Sequence, residues 1–262
     1  MRCIGDKALL HFQVIAHAIQ PLVEAFNDLL DRMRDNLEVQ QRFIADAAHQ
    51  LKTPLTALKT QAQLAMYEDE PEALRGSLQR IGSSVDRASH LVSQLLTLAR
   101  AESTGDVQAE TRVDMATLVR EVAEEWVLPA AQKHLELDFE APPAGAPVFG
   151  NAFLLREMVS NLIDNAIRYS PAGTVVAVTI RQHGKEVCLQ VTDQGPGIPA
   201  HERDRVLGRF TRLAGSDAPG SGLGLSIALR IAELHQATLS LSDGAGGYGL
   251  CVRLDMPAAP AI

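Results

Sequence analysis

The sequence predicts a chain of two parts, an all-α helical hairpin followed by an α+β sandwich domain. Two observations predict the hairpin: a polar break at residues 68–71 that contains a proline, and apolar residues that recur at alternating steps of four and three from Leu74 to Ala99. That spacing is typical of a helical bundle. A third observation predicts the second domain, because helix-like and strand-like segments alternate beyond residue 106.

Composition narrows the class of protein. The 262 residues suffice for two modest domains, and 46% apolar with 21% charged residues is ordinary for a globular protein. A net charge of −8 leaves no basic footprint for nucleic acid. Cys3, Cys188 and Cys251 cannot all pair, so free thiols in a reducing, cytoplasmic compartment are expected. The apolar stretch 8–23 is short and interrupted by polar residues, so no transmembrane helix is expected.

The first part should form two long helices. Leu22, Phe26 and Leu29 begin a helical pattern that continues to about Tyr67, and the second helix covers 74–99. Each helix carries an apolar seam that one hairpin leaves partly open to water. We therefore predict a homodimer that forms a four-helix bundle, with packing of the hairpin on the rest of its own chain as the alternative.

The second part should contain three helices and about five strands. We expect helices over 115–131, 154–169 and 223–234, and strands over 135–139, 174–180, 187–192, 238–241 and 249–254. The strands are expected to be antiparallel, with a hairpin turn at Gly184-Lys185. Loops are expected over 141–147 and 194–222, and a loop as long as the second is usually functional.

The first chemical motif surrounds His49. In a helix, His49 and Thr53 share an exposed face, and Pro54 cannot donate to the carbonyl of Gln50, so we expect a bend just below His49. The run 49–55, His-Gln-Leu-Lys-Thr-Pro-Leu, resembles the H-box of sensor histidine kinases, usually His-Glu/Asp-Leu-Arg/Lys-Thr-Pro-Leu. The resemblance implies that His49 is phosphorylated and that Thr53 orients water in a reverse phosphatase reaction.

Gln50 departs from the family pattern. The usual acid takes the imidazole proton while the other ring nitrogen attacks phosphorus, and an amide cannot do so. Its oxygen can still accept a hydrogen bond and hold the tautomer. Free histidine, with a pKa of about 6.5, is mostly neutral near pH 7, so we expect a slower or differently tuned kinase.

Three clusters in the second part carry the remaining chemistry. Asn161 and Asn165 lie one helical turn apart, and amide oxygens are suitable Mg²⁺ ligands. Asp193 ends a strand and is followed by two glycines, Gly195 and Gly197, which suits a flat ligand with an amine donor. The glycine-rich run 220–224 opens a helix, where backbone N–H groups favour phosphate, and it fits neither a P-loop nor a dinucleotide fingerprint.

In order and spacing these clusters resemble the N, G1 and G2 boxes of the Bergerat-type ATP-binding domain of histidine kinases, and residues 206–212 resemble its F box. The resemblance implies ATP and Mg²⁺, with Asn165 as metal ligand, Asn161 in support of phosphate or metal, and Asp193 on adenine. It further implies nucleotide contacts from Arg168, Tyr169, Gly195, Gly197, Arg212, Gly220, Gly222, Leu223 and Gly224. ATPases of this fold usually carry a water-activating Glu at the position of Asn161, so its absence favours transfer to a protein side chain.

Residues 20–42 resemble the last helix of a HAMP relay. The expected domains are therefore 1–41, a HAMP-like helix; 42–104, dimerisation and histidine phosphotransfer; and 105–262, ATP binding. The resemblance implies phosphotransfer to an Asp of a response-regulator receiver domain, and longer relatives that are anchored in the inner membrane. The alternatives are a degenerate, non-phosphorylating dimeric scaffold, for which Gln50 is the only support, and a plain ATPase of this fold.

Overall fold

The computed structural model describes residues 3–103, 111–213 and 220–260. Helices and strands follow one another as α1 Cys3–Ala65, α2 Pro71–Ser103, β1 Thr111–Asp114, α3 Met115–Gln132, β2 Glu136–Glu140, β3 Pro147–Gly150, α4 Ala152–Tyr169, β4 Val175–His183, β5 Glu186–Thr192, α5 Arg203–Val206, α6 Gly224–Leu234, β6 Thr238–Asp243 and β7 Leu250–Pro257. Short 3₁₀ turns occupy Ala200–Glu202 and Ala245–Gly247. None of the helices in these ranges is both long and apolar enough to cross a membrane.

The first two helices form the predicted hairpin. The turn falls at the polar break after Ala65, and Ser84 on α2 donates a hydrogen bond of 3.1 Å to Gln61 on α1. The predicted start of α1 at Leu22 is wrong, because the helix begins at Cys3 and runs through Pro21. An internal proline costs one backbone hydrogen bond, and the helix-favouring residues on both sides, rich in Ala, Leu and Gln, outweigh that loss.

Much of the apolar seam of the hairpin remains exposed in the single chain. Leu55, Leu64 and Leu78 are 57%, 59% and 56% exposed, although each occupies an apolar position of its helix. Among the described apolar side chains of the two helices, only Leu91, Leu98 and Ala101, at the end of α2 near the second domain, are buried. The chain alone therefore leaves an apolar stripe along the hairpin without a partner.

The second domain places its helices on one face of a five-stranded sheet of order β2-β4-β5-β7-β6. The predicted hairpin at Gly184-Lys185 is confirmed, since β4 and β5 pair antiparallel on either side of it. The expectation of purely antiparallel pairing is wrong for β2, which runs parallel to β4. A crossover through β3 and α4 separates these two strands, and a connection of that length permits parallel pairing. The sequence predicts neither β1 nor β3, which pair with each other in a small separate sheet.

The core lies between that helical layer and the sheet. Its fully buried side chains include Leu155, Met158 and Ile163 on α4, and Ile227 and Ile231 on α6. Each such side chain contributes about 1.5–3 kcal/mol by leaving water. Strands β4 and β5 supply Ile180 and Leu189 to the same core. This packing fixes α4 and the start of α6 relative to the end of β5.

The second domain carries two free cysteines. Cys188 and Cys251 are both free, the first buried and the second half-buried. Burial and a hydrogen bond with Asp255 raise the pKa of the Cys188 thiol to about 11. That thiol is therefore protonated, and unreactive, near neutral pH.

Candidate functional site

A cavity of about 630 Å³ opens where α4, the end of β5 and the start of α6 meet. Nine of the residues predicted to contact the nucleotide line it: Asn165, Arg168, Tyr169, Asp193, Gly197, Arg212, Gly220, Gly222 and Gly224. Residues from all three sequence clusters, which are far apart along the chain, therefore line one cavity. Residues 214–219, between Arg212 and the glycine-rich run, lie outside the described residues.

Helix α4 presents Asn165 to this cavity. The side chain of Asn151 caps the first turn by accepting the Leu154 N–H, and the buried apolar face of α4 fixes the rotation of the helix. Gly224 comes so close that an added Cβ would lie 2.6 Å from the Asn165 amide nitrogen. The missing side chain at Gly224 therefore brings the phosphate-favouring end of α6 directly against Asn165.

The C-terminal turn of α4 carries two more lining residues, Arg168 and Tyr169. Arg168 pairs with Asp164 one turn back, and both are mostly buried. The ammonium group of Lys133 donates to the carbonyl oxygens of Ile167, Arg168 and Ser170, at 2.8, 2.6 and 2.9 Å. One lysine thus satisfies three acceptors that a helix end leaves open. Sequence reasoning gave Lys133 no role.

Asp193 sits at the end of β5 with one of its oxygens already occupied. Its Oδ1 accepts the N–H groups of Gly195 and Leu250, at 2.8 and 3.1 Å. The carboxyl is buried, and this burial raises its pKa, with the two N–H bonds acting in the opposite direction. Neither bond uses Oδ2, which is available as an acceptor for a ligand amine.

Gly195 itself does not line the cavity in the described residues, and its contribution is indirect. Its N–H orients Asp193, and an added Cβ would lie 2.8 Å from the carbonyl oxygen of Tyr169. Leu223 also misses the cavity, because its side chain is completely buried beneath it. Both residues shape the site without facing it.

Asn161 is placed away from the cavity, on the side of α4 that meets the helical hairpin. It is only 5% exposed, and its Oδ1 accepts the Nε2–H of Gln94 at 2.8 Å. Its own amide donates to the Glu157 carbonyl at 2.8 Å. Gln94, by contrast, lines the cavity although it belongs to α2. No feature of the sequence distinguishes Gln94 from the ordinary bundle residues around it.

The hairpin makes further contacts with the second domain near its base. Thr97 donates to Glu157 at 3.0 Å, and His90 approaches the carboxylate of Asp164 at 3.6 Å. Arg209, in the segment resembling the F box, pairs with Glu102 on α2 and stacks over the Phe43 ring on α1. The two domains are thus docked along the lower part of the hairpin.

His49 lies exposed on α1 in a shallow groove that also includes Lys52, Thr53 and Thr56. The Thr53 hydroxyl donates to the His49 carbonyl at 3.4 Å, so it lies one turn from the ring on the same face. Gln50 is half-buried and is not part of the groove. Helix α1 is continuous through Pro54, and the expected bend below His49 stays a prediction.

Two family models match the chain. Residues 39–104 match the His Kinase A (phospho-acceptor) domain, and residues 150–260 match the histidine kinase-, DNA gyrase B-, and HSP90-like ATPase. The chain belongs to the sensor histidine kinases. The first matched segment contains His49, and the second contains every lining residue of the cavity except Gln94. This match identifies the second domain as one of the ATP-binding class.

Relatives of this histidine kinase agree with the assignment. The chain is 36% identical over 260 residues to the sensor protein kinase PmrB of Pseudomonas aeruginosa, covering 97% of this chain and 54% of the relative. It is 37% identical to the signal transduction histidine-protein kinase/phosphatase MprB of Mycobacterium sp., covering 86% of this chain and 44% of MprB. The chain thus spans about half the length of these curated relatives.

A solved structure shares the fold. The histidine kinase ThkA, in complex with the response regulator protein TrrA, matches with a TM-score of 0.70 at 20% identity, covering 87% of this chain and 64% of ThkA. At that identity the likeness supports the architecture of hairpin and sheet domain.

Proposed function

We propose that this chain is the catalytic part of a sensor histidine kinase that binds Mg²⁺·ATP, phosphorylates its own His49 and passes the phosphoryl group to an Asp of a response regulator. The observation that carries the proposal is the convergence of three distant motifs on one cavity in a chain that also exposes His49 within an H-box. The proposed divisions are 1–41, 42–104 and 105–262, and the proposed location is the cytoplasm.

The cavity supplies recognition for both ends of ATP. Asp193 Oδ2 is the acceptor for the exocyclic amine of adenine, and burial of the carboxyl strengthens that bond by excluding water. The start of α6 offers N–H groups to the phosphates, while Arg168 and Arg212 add positive charge on the cavity wall. Catalysis then rests mostly on positioning and charge neutralisation.

The residues present fit a magnesium ion bound with the nucleotide. Asn165 offers one neutral oxygen, and Mg²⁺ in phosphoryl-transfer sites takes its other ligands from phosphates and water. Within the described residues no cluster of three or more Asp, Glu, His or Cys could hold a metal without the nucleotide. When bound, the ion neutralises charge on the phosphates during transfer.

Transfer to His49 breaks the bond between the γ-phosphorus and the bridging oxygen and forms a bond from one imidazole nitrogen to phosphorus. ADP leaves with the bridging oxygen, and the other ring nitrogen releases its proton. Gln50 cannot take that proton, so water or the nucleotide must do so, while the amide oxygen holds the ring's tautomer. The phosphoryl group would next move to the carboxylate of the receiver domain. Thr53, whose hydroxyl donates to the His49 carbonyl one turn away, would orient water for the reverse phosphatase reaction.

We propose further that the working form is a homodimer. The exposed seam along α1 and α2, with Leu55, Leu64 and Leu78 more than half exposed, matches the surface that a four-helix bundle buries. Light scattering of the purified chain should give twice the mass of one chain, and a Leu78→Glu change should lower it, whereas Gln79→Glu beside it should not.

The test of the proposed function is incubation of the purified chain with γ-labelled ATP and Mg²⁺. We expect protein-bound label that is stable in base, labile in acid, absent from His49→Ala and retained by His183→Ala, a matched change at an exposed histidine on β4. Label that survives in His49→Ala would contradict His49 as the acceptor. Nucleotide binding without label in any variant would favour the non-phosphorylating scaffold.

A further inference from the structure

Gln94 connects the phosphotransfer hairpin to the nucleotide cavity. It lies on α2 and is 5% exposed, and its side chain lines a cavity built otherwise from the second domain. A buried polar side chain must satisfy both its donor and its acceptor. The partners that satisfy Gln94 are residues of the two motifs that face ATP phosphates in the proposed function.

Three side chains form a hydrogen-bonded chain across the domain boundary. Ser221, in the glycine-rich run, donates its hydroxyl to Gln94 Oε1 at 2.6 Å, and Gln94 Nε2 donates to Asn161 Oδ1 at 2.8 Å. The chain continues at both ends. The Ser221 hydroxyl accepts the Leu223 N–H at 3.2 Å, and the Asn161 amide donates to the Glu157 carbonyl at 2.8 Å.

This network occupies groups that a triphosphate would otherwise use. Gln94 lies between Asn161 and the cavity: it lines the cavity and donates to Asn161 Oδ1, whereas Asn161 does not line the cavity. The Ser221 hydroxyl, at the mouth of α6, is held toward α2. Gln94 and Asn161 are buried, Ser221 is half-buried, and all three are hydrogen-bonded. Breaking the network therefore requires a competing partner for Asn161 and Ser221.

Resting on the proposed function, we infer that Gln94 is an internal competitor of the nucleotide. While α2 is docked, the Gln94 amide holds Asn161 and Ser221 away from the phosphates and Mg²⁺, and full nucleotide affinity requires α2 to withdraw. The competition is reciprocal, so Mg²⁺·ATP weakens docking as much as docking weakens Mg²⁺·ATP. The device couples movement of the hairpin directly to occupancy of the site.

Neighbouring contacts support a docking surface that can form and separate as a unit. Thr97 and His90, one turn to either side of Gln94 on α2, face Glu157 and Asp164 on α4. These contacts are polar. Leu91 and Leu98 of α2 are buried beside them, so docking also has an apolar contribution, but the polar contacts can exchange their bonds for bonds to water when α2 withdraws.

The test compares binding of Mg²⁺·AMP-PNP, a non-hydrolysable ATP analogue, to the whole chain and to Gln94→Leu by titration calorimetry. Leucine keeps bulk and removes both hydrogen bonds. We expect binding to tighten roughly three- to tenfold, the range that one net hydrogen bond in the docked state allows. Gln79→Leu, the same change at an exposed position of α2, should leave binding as in the wild type.

Adenosine separates competition at the phosphates from a general change in the cavity. It lacks phosphates, so its affinity should be equal in the wild type and in Gln94→Leu. Gln94→Met removes the same two hydrogen bonds with an unbranched side chain and leaves Asn161 and Ser221 intact, so it should also tighten AMP-PNP binding even where Gln94→Leu folds poorly. Unchanged or weaker AMP-PNP binding in both variants, or an equal gain for adenosine, would overturn the inference. A wild type that binds neither ligand would instead count against the proposed function.

Discussion

Gln50 is the side chain beside His49 that should limit the rate of phosphorylation. Replacing it by Glu adds a carboxylate able to accept the imidazole proton, and a positioned base typically speeds such a step by factors of 10²–10⁴. We expect Gln50→Glu to raise the initial rate of phosphohistidine formation roughly 10- to 100-fold. The comparison is with Gln50→Ala, which should be slower than the wild type because it loses the tautomer-holding oxygen. Equal rates for all three would mean that this position takes no part in proton transfer.

Asp193 should be needed for ATP binding. In Asp193→Asn the amide oxygen can keep the N–H bonds from Gly195 and Leu250, but the NH₂ group replaces Oδ2 and faces the adenine amine as a second donor. We expect nucleotide affinity to fall about 10- to 100-fold, from loss of a hydrogen bond to a charged group. Calorimetric titration with AMP-PNP measures this, and unchanged affinity would remove Asp193 from adenine recognition.

The same variant tests the effect of burial on Asp193. Because the pKa of the folded state is raised, the stability linked to this carboxyl is fully present below its unfolded pKa of about 3.9 and is lost as pH rises through the folded value. Asn does not titrate. The unfolding free energy of Asp193→Asn, relative to the wild type, should therefore increase as pH rises from about 4, as measured by urea unfolding across that range. A difference independent of pH would contradict the burial argument.

At the scale of elements, the C-terminal turn of α4 should depend on Lys133. Lys133→Met keeps the aliphatic stem and leaves three carbonyl oxygens without their donor. We expect a loss of about 1–3 kcal/mol in unfolding free energy and weaker nucleotide binding, because Arg168 and Tyr169 lie on that turn. Lys185→Met, at the exposed β4–β5 turn, is the matched control and should change neither quantity. A loss of stability with normal binding would limit Lys133 to a structural role.

Local signals in the sequence predict where most helices and strands lie, but they do not predict which strands pair with one another. The helix over 154–169 and the strands over 174–180 and 187–192 correspond closely to α4, β4 and β5, because their periodicity and turn residues are strong. The parallel pairing of β2 and the small sheet of β1 and β3 depend on contacts between distant segments, which periodicity does not encode. The motifs and their spacing predicted most residues of the cavity. The roles of Gln94 and Lys133 are visible only in the three-dimensional contacts of the structure.

At the scale of the whole molecule, Arg209 should hold the two domains together at the base of the hairpin. It contacts both helices at once, through the Glu102 carboxylate and the Phe43 ring, and its side chain and that of Glu102 are 30% and 27% exposed. Partial burial and the added ring contact favour a measurable interaction where a fully exposed pair would contribute little. Any movement of α1 against α2 at this level would separate the two partners of Arg209.

A double-mutant cycle isolates this contact. We expect Arg209→Ala and Glu102→Gln each to lower the urea unfolding free energy, with a coupling of about 1 kcal/mol in the double variant. The matched control cycle uses Arg205→Ala and Glu202→Gln. These residues form an ion pair within the second domain, and Arg205 is more exposed than Arg209. Its coupling should be smaller. If Arg209 and Glu102 show no coupling, docking must rest on the contacts around Gln94. Arg209→Ala should then leave AMP-PNP affinity unchanged, while Gln94→Leu still raises it.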